Sequence, residues 1–477
     1  MNYPLPVLLL AAIIAQAAPE SYTIVASATT TAEPAWHKVI AALEKKYPVA
    51  KQLVWDKDVA AILPELAKQH PQYVCFVCPH NEVSLEFVRK VHRLTRKLDD
   101  DPYTDCRWGI LTGYDAANAL AIAGETEPLT IHHVLAATDI ALDRCESART
   151  FNELKAGKRV SKSATGKVVE ETGPADSSFA IASALEDPQT GLFITSGHAS
   201  ERNWQLGYTY PNGHWESSKG IITAVDLTGK KHLVQSPHAK VYLPVGNCLM
   251  GHINGPDAMA LAWMNSVGVR QMAGYTLPTW YGYQGWGLLD YFVEQPGRFT
   301  LTDSFFANQA ALVYRLQTCF PDIASEDSDS PMGQIRKPIT VGPAAKAAGL
   351  TAQDANGLLF DRDVVAYYGD PAWPACMAPG RLNWEQAWHQ DAAGGSLEIT
   401  PNEGDKSYRP VDINGSQRGG RPIIQFFDHR IDPATVKITA GAEMKPLITD
   451  DFMLIPLPAA DAEPAKFKIT FTARPGR

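Results

Sequence analysis

The sequence predicts an α/β protein that ends in a small all-β domain, and three observations carry that expectation. From residue 22 to beyond residue 310, short apolar runs alternate with amphipathic stretches. That is the rhythm of parallel strands with helices on both faces of the sheet. From Ser396 onward the pattern changes to short alternating runs separated by turn residues, the signature of a small β-sandwich. The chain has 477 residues, 45% of them hydrophobic and 20% charged, enough for two or three domains with a sizeable core.

The elements follow in order. Val7–Ile14 is an apolar run followed by Ala15-Gln16-Ala17. This reads as a signal peptide over residues 1–17, although no Lys or Arg precedes it. The run is too short to span a bilayer, so the expectation is export to a secreted or periplasmic location without stable membrane insertion. Tyr22–Ser27, Lys51–Trp55, Tyr73–Cys78 and Arg107–Thr112 read as strands. Trp36–Tyr47, Val59–Gln69 and Glu82–Leu98 between them read as helices, giving an N-terminal α/β subdomain over residues 21–150. Residues 151–175, rich in Lys, Ser, Thr and Gly, read as a linker or exposed loop.

A second α/β subdomain is expected over 170–325. Its strands are Phe179–Leu185, Gly191–Ser196, Gly220–Val225, Lys240–Val245 and Val269–Thr276. One helix opens at Asn254-Gly-Pro256-Asp257, with proline near its first position, and another covers Thr302–Gln317. Residues 326–394 look irregular, and 395–477 form the β domain through Ser396–Ile399, Pro422–Phe427, Thr435–Thr439, Asp451–Pro456 and Lys466–Thr472. No repeat of solenoid or propeller period is visible.

Composition narrows the function classes. The net charge of −9 is spread along the chain with no dominant basic block, which argues against nucleic acid as a partner. The basic run within Arg89–Lys97 fits a solvated helix face. Asp99-Asp100-Asp101 could help hold a structural calcium, but loop carboxylates are ordinarily just solvated, and no other cofactor is implied. Seven cysteines in an exported chain leave at least one unpaired. Cys75-Phe-Val-Cys78 has redox spacing but lies inside an apolar run, so buried strand cysteines or a disulfide are expected there.

Two segments carry chemistry. Gly191-Leu-Phe-Ile-Thr-Ser-Gly-His198-Ala-Ser200 and Val241-Tyr-Leu-Pro-Val-Gly-Asn-Cys248-Leu-Met-Gly251 are apolar runs ending in small-residue turns. As neighbouring parallel strands they would bring His198 and Cys248 together at the carboxyl edge of the sheet, where open α/β sheets place their ligands. An imidazole beside a thiol can take its proton and later protonate a leaving amine. Backbone N–H groups in such turns can hold the oxyanion. His252 is the competing base, while His214 and His238 lie at no strand-end turn. A metal site from Cys248, His252 and His198 lacks a second thiolate or a carboxylate at ligand spacing. Asp139, Glu171 and Asp176 could each orient His198, and spacing does not choose among them.

The histidine precedes the cysteine by 50 residues, about the caspase spacing, although the caspase Q-A-C-x-G signature is absent. The segment Gly246-Asn-Cys-Leu-Met-Gly251, then Asp257-Ala-Met-Ala-Leu-Ala-Trp-Met, then Gly268-Val-Arg-Gln-Met-Ala-Gly-Tyr-Thr276 and Trp280, resembles the gingipain-type cysteine peptidases. The specific motifs lie within about 190–290, and the layout likeness extends over 22–310 and the terminal β region. The resemblance implies a caspase-like catalytic unit of two α/β subdomains followed by an immunoglobulin-like domain. It implies Cys248 as nucleophile, His198 as base, and the backbone of Ala199 and Cys248 as oxyanion hole. The strand holding Tyr275 and the following Trp280 would flank the substrate pocket. The family usually carries glycine after the histidine; Ala199 keeps the N–H with less backbone freedom. The expectation is an exported cysteine endopeptidase acting on protein or peptide substrates through a thioester. A catalytically silent binding or adhesion protein on the same scaffold and a non-peptidase amide hydrolase are the alternatives.

Overall fold

The computed structural model describes residues 19–330, 338–412, 417–458 and 465–476, so the expected signal peptide lies outside it. Its centre is one mostly parallel sheet of twelve strands. Their order is Ala50–Trp55, Tyr22–Ser27, Tyr73–Val77, Arg107–Leu111, Val365–Tyr368, Val269–Tyr275, Lys240–Pro244, Thr190–Thr195, His133–Ala136, Ser147–Phe151, Lys158–Lys162 and Val168–Thr172. Where two sheets were expected from two subdomains, a single sheet runs through both. Val365–Tyr368 joins them, pairing antiparallel with Val269–Tyr275 and meeting Arg107–Leu111 at Tyr368 and Ile110. This strand, the helix Ala352–Arg362 and the first strand of the β domain, Trp384–Asp391, all lie in the stretch expected to be irregular. A four-residue strand buried on both faces shows no alternation, so its sequence gave no period to read.

Three further expectations are corrected. Phe179–Leu185 is not a strand but part of a helix, Ser178–Glu186, that buries Ile181, Ala182 and Leu185 at helical spacing. The strand expected at Gly220–Val225 forms at Ile221–Val225, but in a separate antiparallel sheet with Asn203–Gln205, His214–Ser218 and Lys231–Val234. Residues 151–175 hold the hairpin that extends the edge of the main sheet, Lys158–Lys162 with Val168–Thr172. Gly166, at φ +82°, sits in its turn.

An aromatic cluster fixes the strands that lead to His198 and Cys248. Phe193 stacks on Tyr242 of the neighbouring strand at 5.6 Å, and Tyr242 meets Trp263 of the helix Met259–Ser266 at 4.2 Å. Trp204 and Trp215 of the small sheet meet edge-on at 5.4 Å, and both approach Phe193. Each such pair contributes about 0.5–1.5 kcal/mol beyond its buried area, which ties the small sheet to the main one.

The C-terminal domain packs a sheet of Trp384–Asp391, Gly394–Pro401, Phe467–Thr472 and Lys437–Ala440 against one of Ile423–Phe426, Phe452–Ile455 and Leu447–Ile448. Leu397, Ile399, Ile469 and Phe471 share a core with Ile423, Met453 and Ile455. The second sheet is buried on its other face too, where Ile424, Phe452 and Leu454 pack on Tyr103, Tyr291, Phe299 and Val313. No described helix is long and apolar enough to cross a membrane.

Candidate active site

The strands Thr190–Thr195 and Lys240–Pro244 are parallel neighbours, with Leu192 opposite Val241 and Thr195 opposite Pro244. His198 and Cys248 therefore leave the same sheet edge three and four residues later. After Thr195 the chain reverses at Gly197, whose φ of +96° favours glycine. Gln205 N–H donates to His198 O at 2.9 Å and Ser200 N–H to Asn203 O at 2.8 Å. Between these rungs Ala199 bridges Trp204, so its own N–H falls outside the ladder and meets no acceptor among the described residues. The His198 ring is exposed and stacks on Tyr208 at 4.8 Å.

The cysteine turn is held tightly. Leu249 takes φ +59°, an unusual value for a branched side chain, and donates its N–H to Leu277 O at 3.2 Å. Gly251 N–H reaches Tyr275 O at 2.8 Å; a Cβ there would stand 2.2 Å from Gly274 O. Thr279 N–H points at the Cys248 sulfur, 3.3 Å away. The N–H of Cys248 itself meets no acceptor among the described residues. All seven cysteines are free thiols, and of these only Cys248 and Cys376 escape full burial.

Asn247 joins the two turns. It is fully buried, accepts from Thr195 Oγ1 at 2.6 Å and donates from Nδ2 to Gly197 O at 3.0 Å. One side chain thus fixes the residue before Cys248 to the residue before His198.

Both reactive side chains open into a cleft of about 630 Å³. Glu153, Leu154 and Tyr208 border it, as do Pro278–Gly282, Trp286 and, from the C-terminal domain, Gln417. Trp280 is exposed on its rim. Tyr275 is not: it is fully buried, and its hydroxyl donates to Asp361 Oδ2 at 2.8 Å. It anchors the helix Tyr283–Phe292 instead, accepting from Gly285 N–H at 3.1 Å. The aromatics after Trp280 divide similarly, Tyr283 being core while Trp286 borders the cleft.

The candidates for orienting His198 lie elsewhere. Asp139 accepts from Asn152, Asp176 from Ser178 and the Leu227 N–H, and Glu171 sits in the edge hairpin opposite Arg159. The carboxylate the structure does bring to the cleft is Glu153. Its Oε1 accepts from Thr138 Oγ1 at 2.6 Å, and burial pushes its carboxyl above the usual range. It follows the strand Ser147–Phe151 by two residues, at the same sheet edge as His198 and Cys248, and reading that strand in the sequence would have found it.

His252, His214 and His238 do not line the cleft. His252 is half-buried, and burial pushes its imidazole down. Among the described residues, the groups able to bring three metal ligands together are His70, Asp99, Asp450 and Asp99, Asp101, Asp105, away from this cleft. The second of these groups, three carboxylates, includes Asp99 and Asp101 of the run considered for calcium, while Asp450 of the first is paired to Arg430. No protein-family model, curated protein or solved structure matches the chain.

Proposed function

We propose that the chain is an exported cysteine endopeptidase of the gingipain type, with Cys248 as nucleophile and His198 as general base and then acid. The observation that carries the reading is the pair of turns at one sheet edge, each presenting one reactive side chain and one backbone N–H without a partner in the described chain. In this reading His198 takes the thiol proton and the sulfur attacks the scissile carbonyl carbon. The N–H groups of Ala199 and Cys248 hold the oxyanion of the tetrahedral intermediate. That intermediate collapses to a thioester as the C–N bond breaks, and His198 returns its proton to the departing amine. Water, deprotonated by His198, then hydrolyses the thioester and frees the acid and the thiol.

The cleft rim supports a polypeptide substrate over a small amide. Leu154, Tyr208 and Trp280 are each more than half exposed there, apolar surface suited to an extended chain. Glu153 is the one carboxylate among the described lining residues and no Lys or Arg joins it, which suits basic or neutral side chains over acidic ones. Labelling with a panel of peptidyl acyloxymethyl ketones, mapped by mass spectrometry, tests the reading. Cys248 is expected to be modified selectively in the wild type, and His198→Ala to slow modification by about 10²-fold or more. Folded protein with a reduced Cys248 that no peptidyl probe modifies would sink the proposal in favour of a silent binding protein.

A further inference from the structure

The C-terminal domain sends one segment into the catalytic unit. Arg418 and Arg421 are each at most 5% exposed, and their charges are met across the boundary. Arg418 donates to Glu294 Oε1 at 2.5 Å and to Asp412 Oδ2 at 2.8 Å. Arg421 donates to Asn308 Oδ1 and to Tyr283 O, both at 3.0 Å, and its guanidinium lies 3.6 Å from the centre of the Tyr283 ring. Between them Gly419 N–H donates to Asp290 Oδ2 at 2.8 Å. Every catalytic-unit residue here belongs to the helix Tyr283–Phe292, the residues just after it, or the helix Leu301–Cys319 that packs on it. The first of these helices carries Trp286 into the cleft wall and starts at Gly282, with φ +88°.

This anchoring delivers Gln417 to the cleft. Arg421 Nη2 holds Gln417 O at 2.7 Å, and the Gln417 Cδ lies 3.6 Å from where a Cβ on Gly282 would stand. Among the described residues no group hydrogen-bonds the Gln417 side-chain amide, though it borders the same cavity as His198 and Cys248. A primary amide, with both a donor and an acceptor and no partner among the described residues, matches the alternating C=O and N–H groups of an extended peptide backbone.

Resting on the peptidase reading, the geometry points to Gln417 as a substrate-contacting residue, with Arg418 and Arg421 as the residues that position it. The β domain then forms part of the substrate cleft and is more than an appended adhesion module. A mixed charge network buried at a domain boundary also fixes one docking geometry, since removing either sign leaves the other buried without a partner.

The test compares two reagents on full-length protein: iodoacetamide, which needs only the thiol, and a tripeptidyl acyloxymethyl ketone, which must also occupy the cleft. Gln417→Ala is expected to slow labelling of Cys248 by the peptidyl probe about five- to tenfold, the loss of one or two hydrogen bonds. Iodoacetamide labelling should stay within about twofold, on the same ground that no contact to the thiol is lost. Arg421→Lys keeps the charge but loses the fork, and is expected to slow the peptidyl probe in the same selective way. Unchanged peptidyl labelling in Gln417→Ala, or equal slowing of both reagents, would overturn the inference while leaving the peptidase reading intact. Wild type that reacts with iodoacetamide and with no peptidyl probe would overturn both.

Discussion

Asn247 shows how much a single buried amide can decide. Its acceptor is used by Thr195 and its donor by Gly197 O, so Asn247→Asp keeps the shape and the first bond but turns a carboxylate oxygen toward a carbonyl. Cys248 and His198 would no longer be held in register, and small misplacements of reacting groups are expensive. The expected outcome is a fall of about 10²-fold in peptide turnover, with stability lowered by about 1–3 kcal/mol, checked by steady-state kinetics beside a denaturant melt. Under the proposed peptidase reading, Glu153 belongs to the same scale and bears on choice of substrate. Glu153→Gln removes the only carboxylate among the described lining residues. It is expected to lower kcat/KM for peptides with Lys or Arg before the scissile bond by about tenfold relative to neutral ones, the worth of one charge-assisted contact. Equal loss on both substrate sets would contradict it. The sequence pattern singles out neither residue for its role. Asn247 is an unremarkable polar residue until two turns meet across it, and Glu153 hid in a stretch whose sequence read as exposed loop.

At the scale of elements, the helix Tyr283–Phe292 depends on a carboxyl with no solvent. Asp361 is fully buried; its Oδ2 accepts from the Tyr275 hydroxyl and from the Gln284 N–H, while its Oδ1 has no hydrogen-bond partner among the described residues. Burial, the largest influence, pushes the Asp361 carboxyl up to about 7 from an ordinary 3.8. The folded chain therefore holds a proton that the unfolded chain gives up. The stabilisation is complete below the unfolded value and is lost as pH rises through the folded one. Stability should fall between about pH 4 and pH 7, by at most roughly 4 kcal/mol for this group. Asp361→Asn copies the protonated shape and should flatten that part of the pH profile and raise the Tm at about pH 8. A steeper profile in the variant would refute the assignment. Which elements were legible follows the same physics. Strands flanked by amphipathic helices announced themselves, as did the two turns ending in His198 and Cys248. The helix Ser178–Glu186 is misread because a short apolar run has no distinctive period, and Trp384–Asp391 because it is an edge strand whose inward positions include Gln386 and Gln390, which break the apolar alternation.

Across the whole molecule the boundary between domains is as well packed as a core. Phe452 meets Tyr103 edge-on at 5.2 Å, and Arg107 lies 4.3 Å from the Phe426 ring centre. The chain is expected to unfold in a single calorimetric transition, and Phe452→Ala to cost about 3–5 kcal/mol. Two separated transitions in the wild type would show the domains to be independent. The mixed α/β architecture and the terminal β domain were readable from pattern alone. The continuity of the sheet is not, since nothing local in Val-Ala-Tyr-Tyr says that it belongs between strands whose paired residues lie 90 to 96 and 258 positions earlier.

That late strand also sets a timetable. Until Val365–Tyr368 has emerged from the ribosome, Val269–Tyr275 and Arg107–Leu111 each present a bare row of amide and carbonyl groups, the kind of edge on which chains misassociate. The histidine and cysteine turns are synthesised more than a hundred residues sooner, yet the sheet beneath them closes only when this piece slots in. A nascent chain would thus carry the His198 and Cys248 turns on an unfinished platform, whose two halves join only when residues 365–368 arrive between them.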